Sequence, residues 1–139
     1  MPKLYAVADT LTRRLPRIIS PKGHAIADYV AVGAFVLAGA WFWRTNRRAA
    51  TAALLCASAQ LAANLSTNYP GGVVKMVPFP AHGKIDMGIA ALTATMPELF
   101  SFREGRGFFL IQSGAITAAA NLTRFSDFRN YSGSSRARS

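Results

Sequence analysis

The sequence predicts an all-α polytopic membrane protein: four transmembrane helices arranged as two tandem hairpins, preceded by an amphipathic interfacial helix. Three observations carry that prediction. Long apolar stretches are almost free of charge: Ala25 to Trp43 holds only Asp28, and Ile85 to Phe100 holds only Asp86 and Glu98. Ala49 to Tyr69 and Phe108 to Thr123 hold no charge at all. Polar residues also recur at an offset of 57 to 58 positions, so that His24 and Asp28 open the first stretch as His82 and Asp86 open the third. Asn64 closes the second in Ala62-Ala63-Asn64-Leu65-Ser66, and Asn121 closes the fourth in Ala119-Ala120-Asn121-Leu122-Thr123. Such self-similarity is the mark of a repeated supersecondary unit. Finally, the cations are distributed unevenly between the two sides of the expected bundle.

The averages conceal this segregation. Hydrophobic residues make up 51% of 139 residues, and the mean hydropathy is only +0.20. One domain is all this length allows. Each apolar stretch has roughly 16–20 residues, close to what a hydrocarbon core of ~30 Å requires. The third is short and needs its flanks, from Ala81 to Phe102, to reach across. A net charge of +10 raises nucleic acid as a partner, but Lys and Arg gather beside membrane helices on the cytoplasmic side for their own reason. The expected partner is therefore the lipid bilayer, with no nucleic acid. Cys56 stands alone among Ala and Leu and carries no redox or metal signal.

The elements follow in order. Over residues 1–19, Leu4, Val7, Ala8, Leu11 and Leu15 recur at helical steps, with Lys3, Arg13 and Arg14 on other faces. This fits a helix lying at the headgroups, or one packed under the bundle. Ala38-Gly39-Ala40 and Thr12-Arg13-Arg14 raise a cleavable signal. The long basic region before the apolar run, and the polar opening shared with the third helix, oppose it. Hairpin repeat 1 occupies residues 20–69. Its first helix starts at Ser20-Pro21, a cap followed by Pro at the first helical position, and runs to Trp41-Phe42-Trp43. Arg44 to Arg48 form a tight turn, and the second helix covers 49–66. The loop at 70–80 begins with the turn signal Tyr69-Pro70-Gly71-Gly72 and ends with Pro78-Phe79-Pro80, which should continue no helix. Hairpin repeat 2 occupies 81–129, with helices at 81–100 and 107–125 and Pro97 bending or ending the first of them. The tail at 130–139, rich in Ser, Gly and Arg, should be disordered.

Eleven cations fall on the side of the amino terminus and five on the other, which places both termini in the cytoplasm of an inner membrane. The overall pattern resembles the small four-helix inner-membrane proteins of bacteria. It matches the motifs of no family of known activity.

The candidate site follows from the repeat. Each His-x-x-x-Asp pair stacks an imidazole and a carboxylate on one helix face, and both pairs lie at the same depth. Cys56, Gln60 and Asn64 form a polar stripe on the second helix, and Ser113, Thr117 and Asn121 form one on the fourth. These stripes must face other helices, because lipid offers no hydrogen bonds. The ligand or proton site is thus His24, Asp28, His82, Asp86, Gln60, Asn64 and Asn121. Four uses remain open at this point: hydrogen bonding between the repeats, a proton, ion or small polar ligand site, a metal held by His24, His82, Asp28 and Asp86, or a haem iron between the two histidines. Asp28 and Asp86 weigh against decoration, since an unpaired carboxylate within a membrane helix costs roughly 2–3 kcal/mol. Glu98 has no counterpart in the first repeat and should pair with Arg44, Arg103 or Arg106. No phosphate loop, nucleophile elbow or Cys-x-x-Cys is present, so no catalytic residue is assigned and no cofactor is expected. The functional expectation is a non-enzymatic membrane protein with a polar cytoplasmic-side site. Its rivals are an accessory subunit of a larger membrane complex, a metal- or haem-binding membrane protein or small membrane enzyme, and, as the outside case, a soluble basic helical bundle. A larger membrane complex or a homo-oligomer is the protein partner to expect.

Overall fold

The computed structural model describes residues 16–125, and these build an all-helical fold of two hairpins. Helix α1 spans Pro21–Phe42 and α2 spans Arg47–Leu65. Helix α3 spans Phe79–Leu99 and α4 spans Arg106–Leu122. Two short strands lie between the hairpins, β1 at Thr67–Asn68 and β2 at Val77–Pro78. The expectations for residues 1–15 and for 126–139 lie outside the described residues. Residues 16–20 are not helical, so an interfacial helix does not extend to position 19.

Local chemistry sets the helix ends. Ser20 accepts a hydrogen bond from the Gly23 amide at 3.1 Å, with Pro21 in the first turn. Asn46 accepts from the Ala49 amide at 3.1 Å and starts α2 two residues earlier than expected. Pro78-Phe79-Pro80 does not block a helix but opens one, because Pro is tolerated in a first turn whose amides have no helical partner. Pro97 sits in the last turn of α3, which ends at Leu99. Gly105 starts α4 from a left-handed conformation, φ 82°, and a Cβ there would lie 2.5 Å from the Phe42 ring. Helix α4 stops at Leu122 rather than 125. Thr123 leaves the helix to form a parallel bridge with Ile19.

That bridge has a twin. Thr67 pairs with Val77 in the parallel β1–β2 ladder, just as Thr123 pairs with Ile19. The end of each hairpin therefore pairs with the start of the other, closing the two repeats into a ring. Within each hairpin the helices pack along their length, and α2 lies against α3. Helices α1 and α4 meet over a shorter stretch.

The interior is built from small and aromatic side chains. Ala49, Ala50, Ala52, Ala53 and Cys56 are fully buried with Phe35 and Phe109, and small residues of this kind let helices approach closely. Many large hydrophobic side chains are turned outward instead: Leu37 is 73% exposed, Trp41 80% and Ile111 73%. Among the described residues, α1 alone is long and apolar enough by itself to cross a membrane. The other three were expected to span on hydropathy as well. They fall short because α2 is rich in Ala and carries Arg47, Arg48, Gln60 and Asn64, α3 carries His82, Lys84, Asp86 and Glu98, and α4 has only 17 residues.

Candidate functional site: a buried His2Asp2 quartet between the repeats

His24, Asp28, His82 and Asp86 come together at one point, all buried. The amino-terminal ends of α1 and α3 bring them there, each His in the first turn and each Asp one turn further on, one pair from each repeat. Each imidazole reaches its own carboxylate and, at shorter range, that of the other repeat. His24 Nε2 lies 2.9 Å from Asp86 Oδ2 and 3.3 Å from Asp28 Oδ1. His82 Nε2 lies 3.0 Å from Asp28 Oδ2 and 3.3 Å from Asp86 Oδ2. The exchange follows the same pseudo-two-fold relation as the paired hairpin ends.

The outer nitrogens are held with the same symmetry. His24 Nδ1 lies 2.6 Å from Thr123 Oγ1, and His82 Nδ1 lies 2.7 Å from Thr67 Oγ1. Each threonine hydroxyl donates backward to a carbonyl of its own chain end, Thr67 to Ala63 at 2.6 Å and Thr123 to Ala119 at 2.5 Å. With its hydrogen committed, each Oγ1 can only accept, so both Nδ1 atoms carry hydrogen. Both Nε2 atoms therefore face the carboxylates with either a proton or a lone pair. A lone pair held against a carboxylate needs a cation between them.

The carboxylates have further partners. Tyr69 donates to Asp28 Oδ2 at 2.8 Å, and Gln60 Nε2 donates to Asp86 Oδ1 at 3.3 Å. Burial, and then the neighbouring Asp28 charge, push the Tyr69 phenol well above its ordinary pKa, so its hydroxyl stays a donor. Gln60 also donates to Asn64 Oδ1 at 3.0 Å. Gln60 Oε1 and Asn64 Nδ2 are buried without a partner among the described residues. An acceptor and a donor on adjoining amides are the partners that a buried water requires. Aromatic rings cover the quartet, with Phe79 and Phe125 each 5.5 Å from the His24 ring and Tyr69 stacked on Phe79 at 5.4 Å. The Phe125 ring rests on Gly83, where a Cβ would come within 2.6 Å of it.

Of the seven residues singled out in the sequence, the structure brings six together. Asn121 stays apart: it is half-buried, donates to Thr117 O at 2.8 Å on its own helix, and approaches only Met87 Sδ, at 4.0 Å. Two further groups of residues belong to the site. Tyr69, read as part of a turn, contacts Asp28 directly. Thr67 and Thr123 orient the histidines, although the sequence repeat aligns Thr123 with Ser66. Glu98 pairs with Arg106 at an exposed position and contributes little. The haem alternative does not fit this geometry, because both Nε2 atoms contact the same carboxylates and leave no slot for a macrocycle between the rings.

Comparison with known protein families, curated proteins and solved structures finds no match. The functional reading therefore rests on the site itself.

Proposed function

We propose that this chain is an integral membrane protein whose two hairpins enclose a single divalent transition-metal centre of the zinc type. His24 and His82 would be its nitrogen ligands and Asp28 and Asp86 its oxygen ligands. The observation that carries this reading is the orientation of the imidazoles, each held at Nδ1 by a threonine so that Nε2 points at both carboxylates. Metal-ligating histidines are oriented in this way by a second hydrogen bond. The dimensions are close to those of such a centre. Metal–ligand bonds of 2.0–2.2 Å in a tetrahedron separate the ligand atoms by roughly 3.3–3.5 Å. Of the four nitrogen–oxygen separations, the two at 3.3 Å match that spacing, while those at 2.9 and 3.0 Å are direct hydrogen-bond contacts that a bound ion would have to open slightly. All four ligand atoms lie within 4.8 Å of one another. Two nitrogens and two carboxylates also bring a divalent ion to neutrality, which suits a site surrounded by apolar side chains.

The inverted distribution of polarity supports the membrane setting. Ionisable and amide groups are buried within the bundle beside its small and aromatic core, while many Leu, Val, Ile and Trp side chains face its outer surface, a distribution that suits lipid better than water. The eleven-to-five cation bias supports cytoplasmic termini, which puts the metal centre near the cytoplasmic face. Reporter fusions after Arg48 and after Gly105 should then report the non-cytoplasmic side, and fusions after Gly72 and Ser139 the cytoplasm. A cytoplasmic signal from the Arg48 fusion would overturn this orientation.

Metal content tests the centre. Protein purified without chelator and dialysed against trace zinc should retain about one ion per chain, a single four-ligand site accounting for all of it. The His24→Ala and His82→Ala variants should each lose that ion. A folded wild-type protein that retains none would leave the quartet as a network of protonated histidines and carboxylates, and the metal reading would fail.

A further inference from the structure

We infer that the centre is open on one side only: a cleft between α1 and α4 admits a small neutral nitrogen or oxygen donor to the metal beside Asp28, as an added ligand. This rests on the metal reading above and goes beyond it, since it makes the centre one that can bind a ligand rather than a closed structural site.

The argument comes from a break in the pseudo-symmetry. On the α2–α3 side, Gln60 crosses to Asp86 and occupies the space beside it. Its counterpart one repeat later is Thr117, too short to cross, and its hydroxyl is spent on Ser113 O of its own helix at 2.8 Å. On this side a cleft of about 190 Å³ lies beside Asp28. Ala27, Val30 and Ala31 of α1 and Ala115, Ile116 and Ala119 of α4 line it together with Asp28. Gln112 spans it further along, donating to Ala31 O at 3.2 Å. The exposures follow the same asymmetry, 5% for Asp28 and 1% for Asp86.

The two carboxylates are also held differently. Asp86 presents one oxygen, Oδ2, to both histidines, while Gln60 takes the other. Asp28 divides its oxygens between the two histidines, and Tyr69 donates to one of them. A donor entering through the cleft would supply its lone pair to the metal as an added ligand beside Asp28, whose Oδ2 keeps the Tyr69 hydroxyl as its partner. No bond need break, and no proton or electron changes hands. The apolar walls and the size of the cleft select thin, uncharged molecules.

Imidazole and cobalt provide the test, at a pH that keeps imidazole neutral. The full chain in detergent is loaded with cobalt(II), whose visible bands are strong in a four-coordinate site and weaken when a fifth ligand adds. Wild-type protein should show that weakening on titration with imidazole. Ala115→Phe, which fills the cleft mouth from an exposed position, should raise the half-saturating concentration roughly tenfold or more, with the starting spectrum unchanged. Ala119→Leu serves the same purpose if the larger side chain prevents folding. Ser58→Phe, at the equivalent place on the sealed side, should titrate like wild type. A cobalt spectrum indifferent to imidazole would show a closed centre and overturn the inference. So would equal half-saturation in the cleft-filled and wild-type proteins. Absence of any bound cobalt would instead remove the metal centre, and this inference with it.

Discussion

Asparagine at position 28 or at position 86 should each destabilise the protein by about 3 kcal/mol or more, because removing one partner of a buried charge network leaves the others uncompensated. The double variant should lose clearly less than the sum of the two. Asp28 and Asp86 share both histidines at 2.9–3.3 Å, so the first substitution already dissolves most of what the second would remove. Coupling energies between residues in one such network run from about 0.5 to 3 kcal/mol. Unfolding of the four proteins in one detergent, with metal removed, measures the cycle. Losses that add within ~0.5 kcal/mol would mean that the two pairs stabilise their own helix ends separately, despite their proximity.

Gly72→Ala should be the most damaging change outside the quartet. A Cβ at that position would sit 1.6 Å from the Thr67 carbonyl oxygen and 2.8 Å from its carbon, so the backbone itself must move. The turn between Tyr69 and Gly72, closed by a 3.0 Å amide bond, carries two supports of the site. Thr67 orients His82, and Tyr69 bonds Asp28. A loss of about 3 kcal/mol fits a mutation that forces buried backbone apart, and zinc affinity should fall about 10–100-fold with the lost outer contacts. Gly33→Ala and Gly88→Ala are the comparison, since a Cβ at either meets nothing within 4 Å. Both should be neutral or slightly stabilising, by up to about 1 kcal/mol of helix propensity. Thermal unfolding and zinc titration of the three variants check both statements, and a Gly72→Ala protein as stable as Gly88→Ala would contradict the role given to the turn.

Much of this arrangement was legible in the sequence, for a physical reason. Polar residues in apolar stretches are costly, so His24-x-x-x-Asp28 and His82-x-x-x-Asp86 recurring at one offset could hardly be incidental. The repeat identified the four helices for the same reason. What escaped was whatever depended on a departure from strict repetition. Ser66 aligns with Thr123 in sequence, yet Thr67 does the equivalent work, because β1 begins one residue further along its hairpin end than the bridge at Thr123. Asn121 looked like the partner of Asn64, but Thr117 stands where Gln60 stands in the first repeat, and without that long amide nothing links Asn121 to the quartet. Tyr69 resembled any residue before Pro-Gly-Gly. Only the folding of that turn over α1 and α3 brings its hydroxyl to Asp28. Likewise, Pro78-Phe79-Pro80 could stop a helix or start one, and the pairing of Val77 with Thr67 decides that it starts α3.

The quartet as a metal centre is tested most directly by X-ray absorption at the zinc edge on the zinc-loaded full chain. Two imidazole nitrogens and two carboxylate oxygens at about 2.0–2.2 Å, with no sulfur, is the predicted first shell. A sulfur scatterer at about 2.3 Å, which only Cys56 or a methionine could supply, or zinc bound without any imidazole signature, would contradict it.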